Sequence, residues 1–264
     1  MEILVCIKQV PDDSVEIKLN VDTNKPAIEN ITPVVNAFDT YALEMAARFK
    51  EANGGEISVM CIGPEKAKDS LKNCLAVGAN KAFWVSDEEL PELDTLSTSY
   101  VIEKSIKKIE ELNGKKFDVI FCGKETTDCT SGQVGADLSE LLNVGLITNI
   151  IEINVSSLGI KAKQETEEGY NLIETNLPCV VTVTKPNYDP RYPTIKSKMA
   201  ARKTPITAFL PSELELDDKK VKSYVKVVKE YEPLKREAGI KIKEETCADS
   251  ALKAIAMMAE AKVI

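Results

Sequence analysis

The 264-residue chain contains no histidine. This absence excludes Ser-His-Asp and Cys-His catalytic arrangements, histidine-ligated metals and any histidine acting as an acid or base near neutral pH. We therefore predict no catalytic side chain. If the chain takes part in redox chemistry, a bound cofactor has to supply the reactive group.

Metal-binding cysteine patterns are also missing. The seven cysteines are dispersed and none forms a Cys-x-x-Cys pair. This removes the usual signature of zinc, iron–sulfur and thioredoxin-like sites, so no metal is predicted. An odd number of scattered cysteines is typical of a reducing compartment, and we expect a cytoplasmic protein.

Long apolar runs and a basic surface are lacking as well. No stretch approaches the roughly 20 consecutive apolar residues that span a bilayer, and no basic segment precedes the N-terminal apolar run. Neither membrane insertion nor a secretory signal is therefore predicted. The chain has 34 basic and 42 acidic side chains and a formal net charge of −8, which argues against binding to nucleic acid.

What the sequence does contain is an alternation of short apolar runs and helical patterns over its first 142 residues. The predicted strands are residues 2–9, 56–62, 81–85 and 117–122, and the predicted helices are residues 39–50, 65–77, 94–112 and 133–142. This alternation predicts a parallel sheet with helices on both faces. Ligands in such sheets bind beyond the carboxyl ends of the strands.

The pattern changes after residue 142. Further extended segments are predicted at residues 158–164, 170–175 and 180–184. Turn residues separate them, so we interpret all three as antiparallel additions to the sheet.

The loop after the fourth predicted strand has the composition of a phosphate-binding loop. It reads GKETTDCTSGQVG, at residues 123–135, and a helix follows. Backbone N–H groups and the dipole at a helix N-terminus favour an anion, small side chains allow close approach, and the hydroxyls of Thr130 and Ser131 add donors. An ordinary solvated loop is the alternative. Neither G-x-G-x-x-G nor G-x-x-x-x-G-K-[ST] is present.

Two further segments are expected at the same edge of the sheet. Cys6 and Lys8 lie at the end of the first strand, and NAFD, at residues 36–39, precedes the first helix. The side-chain amide of Asn36 offers a donor and an acceptor that suit an adenine edge. A turn or N-cap role for Asn36 is the alternative, and Asp39 is a second candidate for the cap.

Six segments in order resemble the beta subunit of the electron transfer flavoprotein family. They are CIKQVPD, NAFD, CIGP, GKETTDCTSGQVG, AKQETEEGYNLIETNLPCVVTVTK and PNYDPRYPTIKSKMAARK. Gln164 departs from the family pattern, which usually has a basic residue there. The resemblance implies an α/β, doubly wound, parallel-sheet fold that binds an adenine nucleotide, as in universal stress proteins and ATP pyrophosphatases, with antiparallel additions and a C-terminal arm.

The resemblance also implies which residues contact the nucleotide. Together with Lys8 at the same rim, the expected cofactor-binding residues are Cys6, Asn36, Ala37, Phe38, Asp39, Ile62, Gly123, Lys124, Glu125, Thr126, Thr127, Asp128, Cys129, Thr130, Ser131, Gly132, Gln133 and Val134.

In many members of the family this nucleotide is AMP, whereas in the electron-bifurcating group it is FAD. KQVPD, GQVG, EEGY, VTVTK and DPRYP are similar to segments of that group. We therefore expect FAD that accepts hydride from NADH. One electron then reduces ferredoxin or flavodoxin, and the other passes through the FAD of an alpha subunit to a flavin-dependent dehydrogenase of acyl-CoA or lactate type.

Other functions remain open at this point. The first alternative is a non-bifurcating beta subunit with structural AMP. The second is a stand-alone adenine-nucleotide-binding module resembling universal stress proteins. An ATP-pyrophosphatase enzyme is disfavoured, because CIKQVPD stands where its S-G-G-x-D-S loop belongs.

The family's protruding recognition loop corresponds to a proline-rich, basic segment at residues 185–203. Ile195 and Met199 share one face if the segment is helical. We predict docking contacts at Arg191, Tyr192, Ile195 and Met199. The alternative is a solvated linker whose Ile and Met pack on the body.

The C-terminal region is predicted as a polar arm at residues 213–237 and an amphipathic helix at residues 249–263. This helix either belongs to the core or wraps the alpha subunit. We therefore predict a nucleotide-binding domain at residues 1–185, and a recognition loop with a C-terminal arm at residues 186–264.

Overall fold

The structure is a computed structural model that describes residues 1–232 and 238–264. The strands are β1 (Glu2–Cys6), β2 (Gln9–Pro11), β3 (Pro33–Val35), β4 (Glu56–Gly63), β5 (Lys81–Ser86), β6 (Val119–Gly123), β7 (Gly145–Val155), β8 (Ile160–Thr166), β9 (Gly169–Thr175), β10 (Cys179–Val183) and β11 (Ile206–Phe209). The helices are α1 (Ala37–Asn53), α2 (Ala67–Val77), α3 (Thr95–Asn113), α4 (Val134–Leu142), α5 (Ile195–Lys203) and α6 (Cys247–Glu260).

The described chain forms two compact units. One consists of Met1–Ile17 and Pro26–Val228, and the other of Lys18–Lys25 and Lys229–Ile264. The functional boundary at residue 185 stays a prediction. The predicted arm reaches into residues 233–237, which lie outside the described residues. Among the residues that are described, no helix has the length and apolar character needed to cross a bilayer.

The first unit contains a nine-stranded sheet of order β11-β5-β4-β1-β6-β10-β7-β8-β9. The strands from β11 to β7 pair in parallel, and β8 and β9 are antiparallel additions at one end. The doubly wound α/β fold predicted from the alternating pattern is therefore confirmed.

The central strands of this sheet are buried on both faces, and β1 shows how this burial accounts for a continuously apolar sequence. Ile3 and Val5 pack on the face covered by α1 and α2, whereas Leu4 and Cys6 pack on the face covered by α3 and α4. Since successive side chains of a strand point to opposite faces, helices on both sides require an apolar residue at every position.

The prediction was wrong for two strands in the second half of the sheet. The sequence predicts β10 as an antiparallel addition, but it pairs in parallel with both β6 and β7. The sequence pattern does not predict β7. Its buried residues Ile147, Ile150 and Ile153 recur every third position, because irregular pairing and the positive φ of Asn149 interrupt the alternation.

Candidate functional site

A cavity of about 540 Å³ opens at the carboxyl edge of the sheet, where β1, β4, β5 and β6 end. This is the edge at which open α/β sheets bind ligands, and the volume is typical of small-molecule sites. One wall is the loop between β6 and α4. The opposite wall is the connection between β5 and α3, which contributes apolar side chains such as Leu90 and Leu93.

The cavity brings together most of the residues predicted to contact a nucleotide. The predicted residues that line it are Cys6, Lys8, Asp39, Ile62, Gly123, Lys124, Glu125, Thr126, Cys129, Ser131, Gly132, Gln133 and Val134. The predicted residues that do not line it are Asn36, Ala37, Phe38, Thr127, Asp128 and Thr130. The role of these residues as cofactor contacts stays a prediction.

The loop between β6 and α4 has the geometry that an anion requires. The N–H groups of Cys129 and Thr130 close a turn on the carbonyl of Thr126. Thr130 and Gly132 then adopt positive φ angles of 53° and 64°. The N–H groups of Gly132, Gln133 and Val134 have no hydrogen-bond partner among the described residues. Free N–H groups at a helix N-terminus fit a phosphate.

Asn36 does not line the cavity, and its side chain is engaged within the fold, so its predicted contact with an adenine edge has no support from this geometry and stays a prediction. Its side-chain Nδ2 donates to the carbonyl of Glu125 at 2.9 Å, and its Oδ1 accepts from the N–H of Thr127 at 3.1 Å. Asn36 is fully buried. It occupies the N-cap position of α1 without a side-chain cap, because its amide is bonded instead to the loop between β6 and α4, residues 124–133. We call this loop the nucleotide loop after the contact predicted for it.

Asp39 also acts inside the fold rather than as a helix cap. It lies in the first turn of α1, and its carboxylate accepts from the N–H of Lys8 at 2.7 Å and from the N–H of Gly123 at 3.1 Å. These bonds join the ends of β1 and β6. Burial raises the pKa of Asp39 to about 7, although both N–H donors favour the ionised form.

An ion pair closes one side of the nucleotide loop. Lys8 Nζ lies 2.7 Å from Asp128 Oδ2, and both side chains are partly exposed. Because Lys8 is already paired, the anion-binding capacity of this wall comes chiefly from backbone N–H groups. Among the described residues, no group of three or more Cys, Asp or Glu side chains is arranged to hold a metal ion.

Sequence reasoning missed the wall between β5 and α3. Asp87, Glu92, Asp94, Thr95 and Thr98 all line the cavity. The signal was available, since the predicted strand at residues 81–85 has its carboxyl end at the same edge as the others. The carboxylates of this wall make it acidic, in contrast to the loop of free N–H groups that faces it.

Asp94 is the most strongly bonded carboxylate of this acidic wall. Burial alone would raise its pKa, but four hydrogen bonds outweigh this effect and lower the pKa to about 2. The donors are the N–H and hydroxyl of Ser97 and the N–H groups of Tyr224 and Val225. Asp94 therefore remains charged at neutral pH.

Comparison with known proteins agrees with this fold and this loop. The family model described as "Electron transfer flavoprotein domain" matches residues 28–214. The chain belongs to the electron transfer flavoprotein family. The match covers α1 to α4, the nucleotide loop and the strands that follow, so the described cavity lies almost entirely within the family domain.

Relatives of similar length carry the name of the beta subunit. The chain is 35% identical over 257 residues to "Electron transfer flavoprotein subunit beta" of Megasphaera elsdenii, which covers 96% of this chain and 95% of the relative. It is 32% identical over 266 residues to the protein of the same name in Bacillus subtilis, with full coverage of both. It is 35% identical over 217 residues to "Caffeyl-CoA reductase-Etf complex subunit CarD" of Acetobacterium woodii, which covers 82% of this chain and 80% of the relative.

The predicted docking segment is anchored to α1 by Arg191. Its guanidinium pairs with the buried Glu44 at 2.7 Å and with Glu51 at 2.5 Å. Burial would raise the pKa of Glu44, but hydrogen bonds from Arg191 and Arg48 lower it. Arg191 is therefore engaged within the chain, which does not fit its predicted contact with a partner.

The other three predicted docking residues are exposed. Tyr192 is 90% exposed, Ile195 82% and Met199 59%. The predicted helix forms as α5, capped by Thr194 and packed through the buried Ala201. Ile195 and Met199 do not pack on the body as the linker alternative required, and their docking role stays a prediction.

The C-terminal helix α6 exposes its apolar stripe. None of its residues is buried, and Leu252, Ile255 and Met258 are 65%, 53% and 43% exposed. Whether this helix belongs to the core or wraps an alpha subunit stays a prediction.

Proposed function

We propose that this chain binds FAD in the cavity at the carboxyl edge of the sheet and works with an alpha subunit as an electron-bifurcating electron transfer flavoprotein. In this proposal NADH is the electron donor. The acceptors are ferredoxin or flavodoxin and, through the FAD of the alpha subunit, a flavin-dependent dehydrogenase of acyl-CoA or lactate type.

The observation that carries the proposal is the two-sided character of the cavity. The free N–H groups of Gly132, Gln133 and Val134 on one wall fit phosphate oxygens. The cavity continues past them to apolar side chains of Leu90, Leu93 and Ile102. A phosphate site that adjoins these apolar side chains supports a coenzyme with both a diphosphate and a large ring system over a mononucleotide.

When bound, FAD supplies the chemistry that this chain lacks, because it accepts two electrons with a hydride and releases them one at a time. The chain holds and orients the coenzyme. Gly123 and the small residues of the loop allow close approach of the backbone, and Leu90, Leu93 and Ile102 offer the ring system an apolar surface. Asp39 and Asn36 fix the loop from behind through their hydrogen bonds.

The exposed apolar stripe of α6 supports the pairing with an alpha subunit, since a stripe of this kind is stable when another surface covers it. Docking on an acidic groove of a dehydrogenase is supported by three exposed side chains beside the basic residues of α5, namely Tyr192, Ile195 and Met199. A variant of the chain that ends at Lys229 should stay folded and should no longer co-purify with the alpha subunit.

AMP is the second candidate for the cavity. The free N–H groups are confined to one loop, and one phosphate is enough to satisfy them. In that case the chain is a structural beta subunit, and the only flavin of the complex belongs to the alpha subunit.

Anaerobic reduction of the complex by NADH tests the proposal. NADH should bleach flavin absorbance in the purified complex. With the dehydrogenase and its substrate present, each NADH should reduce one ferredoxin or flavodoxin by one electron. Ferredoxin should stay oxidised when the dehydrogenase is omitted. A complex whose flavin NADH does not reduce would exclude bifurcation and favour the AMP alternative.

A further inference from the structure

The carboxylate of Asp94 joins two parts of the chain that are far apart in sequence. Its Oδ1 accepts from the N–H of Ser97 at 2.9 Å and so caps α3. Its Oδ2 accepts from the N–H of Tyr224 at 2.5 Å and from the N–H of Val225 at 3.3 Å. One side chain therefore fixes both the start of α3 and the end of a later segment.

That later segment, residues 214–225, lies along α3. Leu214 and Val221 are buried in the same core cluster as Tyr100 of α3. The Tyr100 hydroxyl accepts from the N–H of Asp217 at 3.1 Å. We call residues 214–225 the strap. After the residues bonded to Asp94, the chain becomes exposed, since Val227 and Val228 are 60% and 92% exposed. The bonds to Asp94 are therefore at the C-terminal end of the strap.

The start of α3 is in turn bonded to the nucleotide loop. The hydroxyl of Thr95 donates to Oε1 of Gln133 at 2.9 Å, and the hydroxyl of Ser99 donates to the carbonyl of Val134 at 3.1 Å. Gln133 is the N-cap residue of α4. Thr95 and Gln133 both line the cavity, as does Asp94. The first turn of α3 is thus hydrogen-bonded to the strap through Asp94 and to the loop that carries the free N–H groups through Thr95 and Ser99, and its backbone connects the two sets of bonds.

We propose that Asp94 is a positioning residue that couples the strap to the nucleotide loop, so that seating of the strap shapes the cavity for its ligand. The proposal rests on the nucleotide-binding function proposed above. Because coupling between two sites is reciprocal, a bound nucleotide also holds the strap more firmly. Release of the strap is therefore expected to weaken nucleotide binding without any change in the residues that contact the ligand.

Asp94→Asn separates the two functions of this side chain. Asparagine caps a helix about as well as aspartate, so one acceptor for Ser97 is retained. The new NH₂ group cannot accept from the N–H groups of Tyr224 and Val225. Tyr224→Pro removes one donor from the strap itself and leaves α3 untouched. Tyr100→Phe is the matched control, because it loosens the strap at Asp217, away from the cavity.

Hydrogen exchange measures the coupling without a ligand. In the nucleotide-free full-length chain, Asp94→Asn should speed amide exchange at residues 224–225 and at residues 131–135. Tyr224→Pro has no amide at residue 224 and should speed exchange at residue 225 and at residues 131–135. Tyr100→Phe should speed exchange near residue 217 only. Faster exchange at residue 225 with no change at residues 131–135 in both variants would overturn the proposal.

Titration with FAD measures the consequence for binding. Asp94→Asn should weaken FAD affinity about tenfold, within the usual range of coupling between sites. Thr95→Val should weaken FAD affinity too. The double variant should bind FAD no more weakly than the single variant with the lower affinity, because both changes interrupt the same connection between the strap and the nucleotide loop. Additive losses would contradict the coupling. A wild-type chain that binds neither FAD nor AMP would instead contradict the proposed function, and hydrogen exchange would still decide on the coupling.

Discussion

The side-chain amide of Asn36 is bonded at both ends to the nucleotide loop, accepting from the N–H of Thr127 at 3.1 Å and donating to the carbonyl of Glu125 at 2.9 Å. Its own N–H donates to the carbonyl of Lys8. This buried side chain therefore sets the shape of a loop that it borders from behind, and its effect on a ligand is exerted through that loop.

Asn36→Ala should destabilise the chain by about 1–3 kcal/mol, because it leaves the partly buried N–H of Thr127 and the partly buried carbonyl of Glu125 without this partner. Thermal unfolding of the full chain measures this loss. Nucleotide content should fall as well. Asn36→Asp keeps the acceptor for Thr127 but turns a carboxylate oxygen towards the carbonyl of Glu125, so no rescue is expected. Wild-type stability in both variants would contradict this role.

Asp39 should make stability depend on pH in a defined window. Its pKa is about 7 in the folded chain, against 3.8 for an exposed aspartate. Between these values the folded chain binds more protons than the unfolded chain, so the free energy of unfolding should fall as pH rises and level off above about pH 7. The neighbouring thiols of Cys6 and Cys61 have raised pKa values and do not titrate in this window.

The matched variant is Asp39→Asn, which does not titrate but loses one acceptor for the N–H groups of Lys8 and Gly123. Unfolding of both proteins from pH 4 to pH 8 gives the comparison. The stability advantage of the wild type should be largest near pH 4 and smallest near pH 8. An advantage that grows with pH would mean that the two N–H donors outweigh burial.

Two glycines, one at the end of β6 and one in the nucleotide loop, should respond differently to alanine. A Cβ at Gly123 would lie 2.4 Å from Asp39 Oδ1 and 2.9 Å from Asp39 N, so Gly123→Ala must displace the start of α1. A Cβ at Gly132 would meet nothing closer than 3.6 Å, although its φ is +64°. Gly132→Ala should cost only about 1–2 kcal/mol of backbone strain.

We expect Gly123→Ala to lower the melting temperature more than Gly132→Ala and to abolish nucleotide binding. Circular dichroism melts and nucleotide content check both. Equal effects of the two substitutions would contradict the close contact between β6 and α1.

The docking segment offers a contrast between Ile195 and Arg191. Ile195→Ala removes an exposed side chain, so electron transfer to the dehydrogenase should slow while stability and reduction by NADH are unchanged. Leu158, which is 60% exposed on another part of the surface, supplies the control Leu158→Ala. Arg191→Ala leaves the buried Glu44 with only Arg48 as an ion-pair partner and should lower stability by about 2 kcal/mol or more.

Stopped-flow electron transfer and thermal melts separate these effects. An unchanged rate of electron transfer from the Ile195→Ala variant to the dehydrogenase would contradict the docking role of α5. A fully stable Arg191→Ala variant would contradict the anchoring role of that side chain.

The parallel sheet and the position of the loop between β6 and α4 were predictable because their signals are local. Residues 2–142 alternate regularly, and the run from Gly123 to Gly135 is rich in small and hydroxylated residues. The orientation of Asn36 was not predictable, since its partners Glu125 and Thr127 are far away in sequence and compete with a ligand for the same amide. β7 was not predictable from the sequence, because irregular pairing places its buried isoleucines every third residue and not every second residue as in a regular strand.

The nucleotide content of the purified complex, released by denaturation and separated by chromatography, tests the central claim most directly. The account predicts two FAD for each pair of subunits, one of them lost when Gly123 is replaced by alanine. One FAD with one AMP would contradict bifurcation, and a beta chain without any bound adenine nucleotide would contradict the assignment of the cavity.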